Sequence, residues 1–362
     1  MKKLNLFAPI STLGYGVVGL NILKGLVHNH DIALSLIGNA DTSKEDTHIV
    51  QSAIDKMQLF DQFVDAPCLK VWHEFALAER VGSGPYFAFP FFEINRLDNM
   101  RVNHLSSVDH IIVASKWAKD IIENANVTTP ISVVPLGVNR SIFTHSVQQI
   151  GNKCIFLNCG KWEKRKGHDV LLDMFQSAFP DEVDVALHMM PSNPFLPDKV
   201  RNEWERYYNS DPRVKIFKHV PSHKEVAQIM SESNCGIFPS RAEGWNLEIL
   251  EMMSMGKHII TTNYSAHTQY CTDKNSSLIE IEKLETAEDG LFFDGSSGEW
   301  ANLEGRSFDQ GVQYLREFYE AWKLNPNLVN QEGIKTAEKL SWSNTAQQLE
   351  EIIYGNSGRE TK

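Results

Sequence analysis

Two carboxylates eight residues apart, Glu243 and Glu251, flank a helix start in the stretch Asn234–Tyr264. Glu243 falls in a polar loop, Ser240–Gly244, after a short apolar run, Cys235–Phe238, that Pro239 stops. Asn246 is a good helix N-cap, and the helical pattern behind it runs to Gly256, where a second apolar run begins. Amides behind an N-cap are unpaired donors at the positive end of a helix, a seat for phosphate. A carboxylate on either side can accept hydrogen bonds from sugar hydroxyls. Glu251 lies one turn from Leu247 and from Met255, in line with apolar side chains, where a carboxylate is costly unless something polar meets it. A capped amphipathic helix with an acid at its edge accounts for the same residues.

The second group is cationic. Lys161, Lys164, Arg165 and Lys166 lie between an apolar run, Cys154–Asn158, and a helical pattern, Asp169–Phe179, with Gly160 and Gly167 on either side. A basic, glycine-flanked loop between strand and helix is an anion site by position and charge; a solvated charge run is the plainer use. Nearer the start, Gly14, Gly16 and Gly19 spell G-x-G-x-x-G, the dinucleotide pattern. Ser11, Thr12 and Leu13 separate it from the strand Leu4–Pro9, and Gly38 and Asn39 stand where an acid should end the strand Ile32–Ile37. That disfavours NAD and leaves a loop whose backbone can approach a phosphate or sugar. His73 and Glu74 follow the strand Cys68–Trp72, and Glu93 follows Tyr86–Phe92. Strand ends face the ligand crevice of a parallel sheet, although each of these residues could also cap a following helix.

The elements that must position these groups alternate between apolar strand runs and helical patterns, which implies an α/β fold with parallel sheets. The 362 residues suffice for two domains. We expect one over residues 1–145 and a second over 151–340, a linker within Asn139–Asn152, a last helix within 341–355 and a tail at 356–362. Net charge of −11 disfavours a nucleic-acid partner. Five cysteines without a C-x-x-C pair read as reduced thiols of a cytoplasmic protein. The uncharged stretch Leu4–Leu23 is broken by Asn5, Pro9, Ser11 and Thr12, so it reads as strand, glycine loop and helix, not as a signal peptide or span. Any membrane contact would then be peripheral. No D-x-D, H-E-x-x-H, G-x-S-x-G or Walker loop occurs, and no metal site is expected.

Taken together, the motifs resemble the family 4 glycosyltransferases, retaining nucleotide-sugar transferases of the GT-B fold. The family's G-R-L-x-x-x-K-G is similar to Gly160, Lys161 and Trp162 through Lys166 and Gly167. Its P-S-x-x-E-G-F-G-L-x-x-x-E is similar to Pro239, Ser240, Glu243, Gly244, Trp245, Asn246, Leu247 and Glu251. The closing S-W-x-x-T-A is similar to the family ending, where the last helix returns to the first domain. The resemblance implies two Rossmann-like, doubly wound domains facing a cleft. It implies no cofactor, no metal, and a UDP- or GDP-sugar as donor. Lys166 would hold the donor diphosphate, with Lys161 in the place of the family's Arg. Amides of Trp245, Asn246 and Leu247 would meet the phosphates, Glu243 the transferred sugar and Glu251 the ribose, with Gly244 also in the donor site. Gly16 would let backbone approach the donor, and Glu93 stands where many members have a catalytic His. Tyr15, His73 and Glu74 fall on the acceptor side, facing a glycan, lipid-linked or other hydroxyl acceptor. A GT-B epimerase, a transferase acting on modified bases, and a non-catalytic sugar-nucleotide binder remain as alternatives.

Overall fold

Runs of apolar residues buried on both faces build two parallel sheets, each in its own unit of the chain. The computed structural model describes residues 1–145, 151–191, 193–218, 220 and 222–355; the expected tail at 356–362 and the middle of the expected linker lie outside the described residues. The first unit comprises Met1–Gly137 and Leu340–Lys362, the second Val138–Lys339.

The first unit runs β1 (Lys2–Ala8), α1 (Gly14–Leu26), β2 (His30–Leu36), α2 (Thr47–Asp55), α3 (Phe60–Phe63), β3 (Cys68–Lys70), β4 (Tyr86–Ala88), α4 (Asn99–Ser106), β5 (His110–Val113), α5 (Lys116–Asn124) and β6 (Ile131–Val133). Its strands lie in the order β2-β1-β3-β4-β5-β6, every pair parallel. Leu4, Leu6 and Ala8 of β1 are fully buried, as central strands of a covered sheet require. The uncharged stretch at the start of the chain is thus strand, turn and helix. Helix α1 starts at Gly14, inside the glycine pattern, and Leu13 at its N-cap offers no side-chain bond.

The second unit runs β7 (Cys154–Gly160), α6 (His168–Ala178), β8 (Val185–Pro191), α7 (Asp198–Tyr208), β9 (Val214–Ile216), α8 (His223–Ser231), β10 (Cys235–Phe238), α9 (Leu247–Ser254), β11 (His258–Thr262), β12 (Ser277–Ile279), β13 (Leu284–Glu288), β14 (Asp294–Ala301), α10 (Arg306–Leu324) and α11 (Gln331–Lys339). The sheet order is β12-β11-β10-β7-β8-β9, again parallel throughout, while β13 and β14 form an antiparallel hairpin. Phe156, Phe175, Phe179, Tyr208, Leu315 and Trp322 fill the core of this unit.

Helices α7 and α11 are additional to the sequence reading. Only Tyr208 of α7 is fully buried, so its sequence, DKVRNEWERYY, carries little helical apolar pattern. The change of unit at Gly137 precedes the expected linker. Phe143 is buried in the second unit, where Ser254 Oγ donates to its carbonyl (2.5 Å) and His145 Nδ1 lies 3.0 Å from Met255 O.

The last helix, α12 (Trp342–Gly355), packs on α1 in the first unit. Thr345 Oγ1 donates to Pro135 O (2.8 Å) and Tyr354 Oη to Lys3 O (3.1 Å). A Cβ on Gly137 would stand 2.1 Å from Ser341 C and Trp342 N, both backbone atoms that cannot swing aside. Gly137→Ala is therefore expected to lower stability by about 1–3 kcal/mol, the usual cost of overpacking. Urea unfolding of the full chain should show a lower midpoint; an unchanged midpoint would mean that the α12 junction yields freely.

Candidate functional site

In the second unit the chain winds outward from β7 to β8 and later returns to β10 on the other side of β7. Loops leaving the carboxyl ends of β7 and β10 therefore meet at a topological switch point, the usual ligand position in an open α/β sheet. Two glycines allow that meeting. Gly160 has φ 130°, and a Cβ there would lie 2.8 Å from Lys166 Cδ. Gly167 has φ 75°, and a Cβ there would lie 2.1 Å from Pro239 O. Backbone amide Arg241 N donates across the same gap to Arg165 O (2.6 Å).

Between the loops sits a buried ionic cluster. Lys166 Nζ donates to Glu243 Oε1 (2.8 Å), and Arg165 Nη1 donates to Glu243 Oε2 (2.8 Å) and to Ala242 O (2.7 Å). Arg165 Nη2 donates to Glu163 Oε2 (2.6 Å), and Ser240 Oγ to Glu243 Oε1 (2.9 Å). All four charged side chains are buried. Burial alone would raise the Glu243 pKa, but Arg165 and Lys166 outweigh it and hold the carboxyl well below the usual range. Burial would likewise lower Lys166, yet Glu243 and Glu248 keep its pKa raised. Both carboxylate oxygens of Glu243 are engaged inside the protein, so the residue expected to face a sugar is here the counter-ion of two cations. Arg165, counted in the basic run but given no role, is the hub of the cluster. Lys161, expected at a diphosphate, stands with its ammonium 5.2 Å from the ring centre of exposed Phe195.

Helix α9 begins beside this cluster. Asn246, at φ 80°, caps it by accepting from Ile249 N (3.4 Å). Trp245 packs on Tyr270 with ring centres 4.7 Å apart, and its buried indole N–H has no hydrogen-bond partner among the described residues. Gly244 is buried and Leu247 half-buried. Ile249, Leu250, Met252 and Met253 face the core, leaving Leu247, Glu248 and Glu251 on the other side of the helix. The Glu251 carboxylate has no hydrogen bond or ion pair among the described residues. Burial, then the Glu248 charge, raises its pKa well above the carboxylate range.

Two histidines missed in the sequence lie beneath the loops. His168 Nδ1 accepts from Glu163 N (3.1 Å) and its Nε2 lies 2.9 Å from Asn158 Oδ1. His267 Nε2 lies 3.2 Å from Asn246 Nδ2. Burial, then the Lys166 charge, pushes the His168 pKa down to about 3. Burial also takes His267 down to about 4, against the pull of Glu243.

The first unit has its own switch point, between β1 and β3. Tyr15 Oη there donates to Phe91 O (2.8 Å) and lies 3.1 Å from His73 Nδ1. The strands stop at Lys70 and Ala88, short of the expected Trp72 and Phe92, although a lone bridge joins His73 to Phe91. Tyr15 and His73 are thus brought together. Glu74 turns inward, where Arg101 Nε donates to it (2.8 Å); burial still raises its pKa to about 7, with Glu93 adding to the rise. Of the three glycines, Gly16 faces Ser11 N at 2.2 Å and Gly19 faces Pro9 O at 2.2 Å, so the chain itself fills both positions. Only Gly14 of the three opens onto free space.

Among the described residues no group of three or more His, Cys, Asp or Glu is placed to hold a metal, and no helix is long and apolar enough to cross a membrane. Residues 153–291 match the family model described as Glycosyl transferases group 1. HepE of Anabaena, solved in complex with UDP and glucose, superposes with a TM-score of 0.73 at 13% identity over 98% of this chain and 100% of its own. Sucrose-phosphate synthase from Thermosynechococcus elongatus gives 0.70 at 12% identity over 99% of each chain. A protein named as a glycosyltransferase in Sulfolobus islandicus filamentous virus (isolate Iceland/Hveragerdi) is 20% identical over 256 residues, 68% of this chain and 67% of its own. The fold is that of the GT-B glycosyltransferases, and the stretch that matches the group 1 family model lies within the second unit.

The depressed histidines set a pH dependence. A histidine with a folded pKa of about 3 or 4, against an ordinary 6.5, stabilises the fold fully above 6.5, and that contribution is lost as pH falls toward the folded value. At 1.36 kcal/mol per pKa unit the two are worth on the order of 3–5 kcal/mol apiece across that window. His168→Gln should flatten the fall in urea-measured stability between pH 6.5 and 4; an unaltered slope would show that His168 is not held neutral.

Proposed function

We propose that the chain is a retaining glycosyltransferase of the family 4 type, moving a sugar from a UDP- or GDP-sugar to a hydroxyl of a glycan, lipid-linked or other acceptor. The observation that carries this reading is Lys166. Its ammonium is fixed against Glu243 at the switch point, beside the first-turn amides of α9. Diphosphate needs a cation and oriented N–H donors in a site that excludes water. Arg165 and Glu163 hold the Glu243 carboxylate in place, which in turn holds Lys166.

In the reaction the bond from the anomeric carbon to the diphosphate oxygen breaks, and Lys166 with the α9 amides takes up the charge that develops on the leaving group. The acceptor oxygen bonds the anomeric carbon from the same face, and its proton passes to the departing phosphate oxygen. Glu251, whose carboxylate has no partner among the described residues, accepts from the ribose hydroxyls. Lys161 adds charge near the diphosphate. Tyr15, His73 and Glu74 are the acceptor-side groups of the first unit, and Glu93 is its catalytic candidate. The UDP and glucose of the HepE structure support a nucleotide sugar as donor. A cytoplasmic setting with peripheral membrane contact suits a lipid-linked acceptor.

Lys166→Ala should lower kcat/KM by at least about 100-fold, the scale of losing one preorganised electrostatic contact. Glu251→Gln should raise the donor KM about tenfold with kcat little changed. The assay is release of UDP or GDP with and without acceptor. Release that needs no acceptor would point to an epimerase or hydrolase. Tight nucleotide-sugar binding without any turnover would reduce the protein to a binder.

A further inference from the structure

Asn246 occupies a backbone position, φ 80°, that side chains rarely adopt and that glycine adopts freely. Its side chain is fixed at both ends. Ile249 N–H donates to Oδ1, so the amide NH2 must face His267. That nitrogen can only donate, so His267 Nε2 is the bare, accepting nitrogen and Nδ1 carries the proton. Nδ1 lies 3.0 Å from Thr261 Oγ1, 3.3 Å from Thr262 Oγ1 and 3.2 Å from Thr262 O. Both threonine hydroxyls donate in turn to loop carbonyls, Thr261 to Phe238 O (3.0 Å) and Thr262 to Ser240 O (2.7 Å). An ordered chain of hydrogen bonds thus runs from the first turn of α9, through His267, to the end of β10.

The surrounding residues grip the same loop. Ser265, itself at φ 55°, accepts from Glu243 N through Oγ (2.9 Å), and Tyr270 Oη lies 3.0 Å from Trp245 O and 2.8 Å from Asn246 O. His267 is fully buried and touches no surface that a ligand could reach.

We infer that His267 is a positioning residue for the nucleotide diphosphate: it holds Asn246 in the left-handed conformation and thereby aims the amides of Trp245, Asn246 and Leu247. This rests on the donor-site reading above. Deleting the Nε2 acceptor frees the Asn246 side chain, the cap is lost, and the amides spread over several directions. With glycine at 246 the backbone needs no such restraint, and His267 has nothing to act through.

The test is a double-mutant cycle read as the Kd of UDP and of GDP by calorimetry on the full-length chain. His267→Ala should weaken the tighter of the two about tenfold, while in the Asn246→Gly background the same change should weaken it less than twofold. His267→Gln, which keeps an acceptor near the Nε2 position, should restore binding to within about threefold of the wild type. If His267→Ala fails to fold, His267→Phe fills the ring volume without the acceptor and serves in its place. Equal losses in both backgrounds, or no rescue by glutamine, would overturn the positioning role while leaving the donor site intact. No binding of either nucleotide by the wild-type chain would overturn the donor-site reading itself, and this inference with it.

Discussion

Glu243 between Arg165 and Lys166 is the interaction on which the second unit's site depends. Two cations and two carboxylates have been withdrawn from water, which is tolerable only when every charge meets its opposite at hydrogen-bond distance. That condition fixes both loops at once. The 161–167 loop cannot move without leaving Glu243 uncompensated, and the 239–246 loop cannot move without stranding Arg165. The cluster is thus a rigid floor, and the ammonium of Lys166 and the start of α9 are fixed relative to each other through it.

Arg241 extends the same logic outward. Its guanidinium is almost wholly buried and bonds Asp169 at the start of α6, the carbonyl of Lys164, and Glu285 of the β13–β14 hairpin. Trp300 Nε1 and Asn302 Nδ2 complete the shell around Glu285. A hairpin outside the main sheet is thereby fastened to the basic loop. Trp162, stacked on Trp204 at 5.7 Å, ties the opposite side of that loop to α7.

Much of this was legible from local pattern. The parallel α/β architecture follows from apolar runs alternating with helical ones, and the cap at Asn246 follows from residue type at a strand-to-helix junction. What local pattern could not supply was long-range pairing. Nothing near Glu243 indicates that both its oxygens are taken by residues 77 and 78 positions away. Nothing around His267, in a polar stretch after β11, signals a bond to Asn246. The close packing of Gly16 on Ser11 was illegible for a related reason: a glycine that admits a ligand and one that admits the chain's own backbone have the same spelling. Helix α7 was missed because it buries so little that its sequence reads as loop.

The attachment of α12 to α1 has a consequence for synthesis. The first unit is made of two stretches with the whole of the second between them. Its strands leave the ribosome before those of the second unit, yet the helix that covers α1 is translated only after residue 339. Until then the faces of Gly25 and Gly137, closed in the finished protein by Ala346 and by the Ser341–Trp342 backbone, stand open to water. The unit whose strands are made before those of the second is completed only after it, and the nascent protein must carry an uncovered face of α1 through the whole elongation of the second unit.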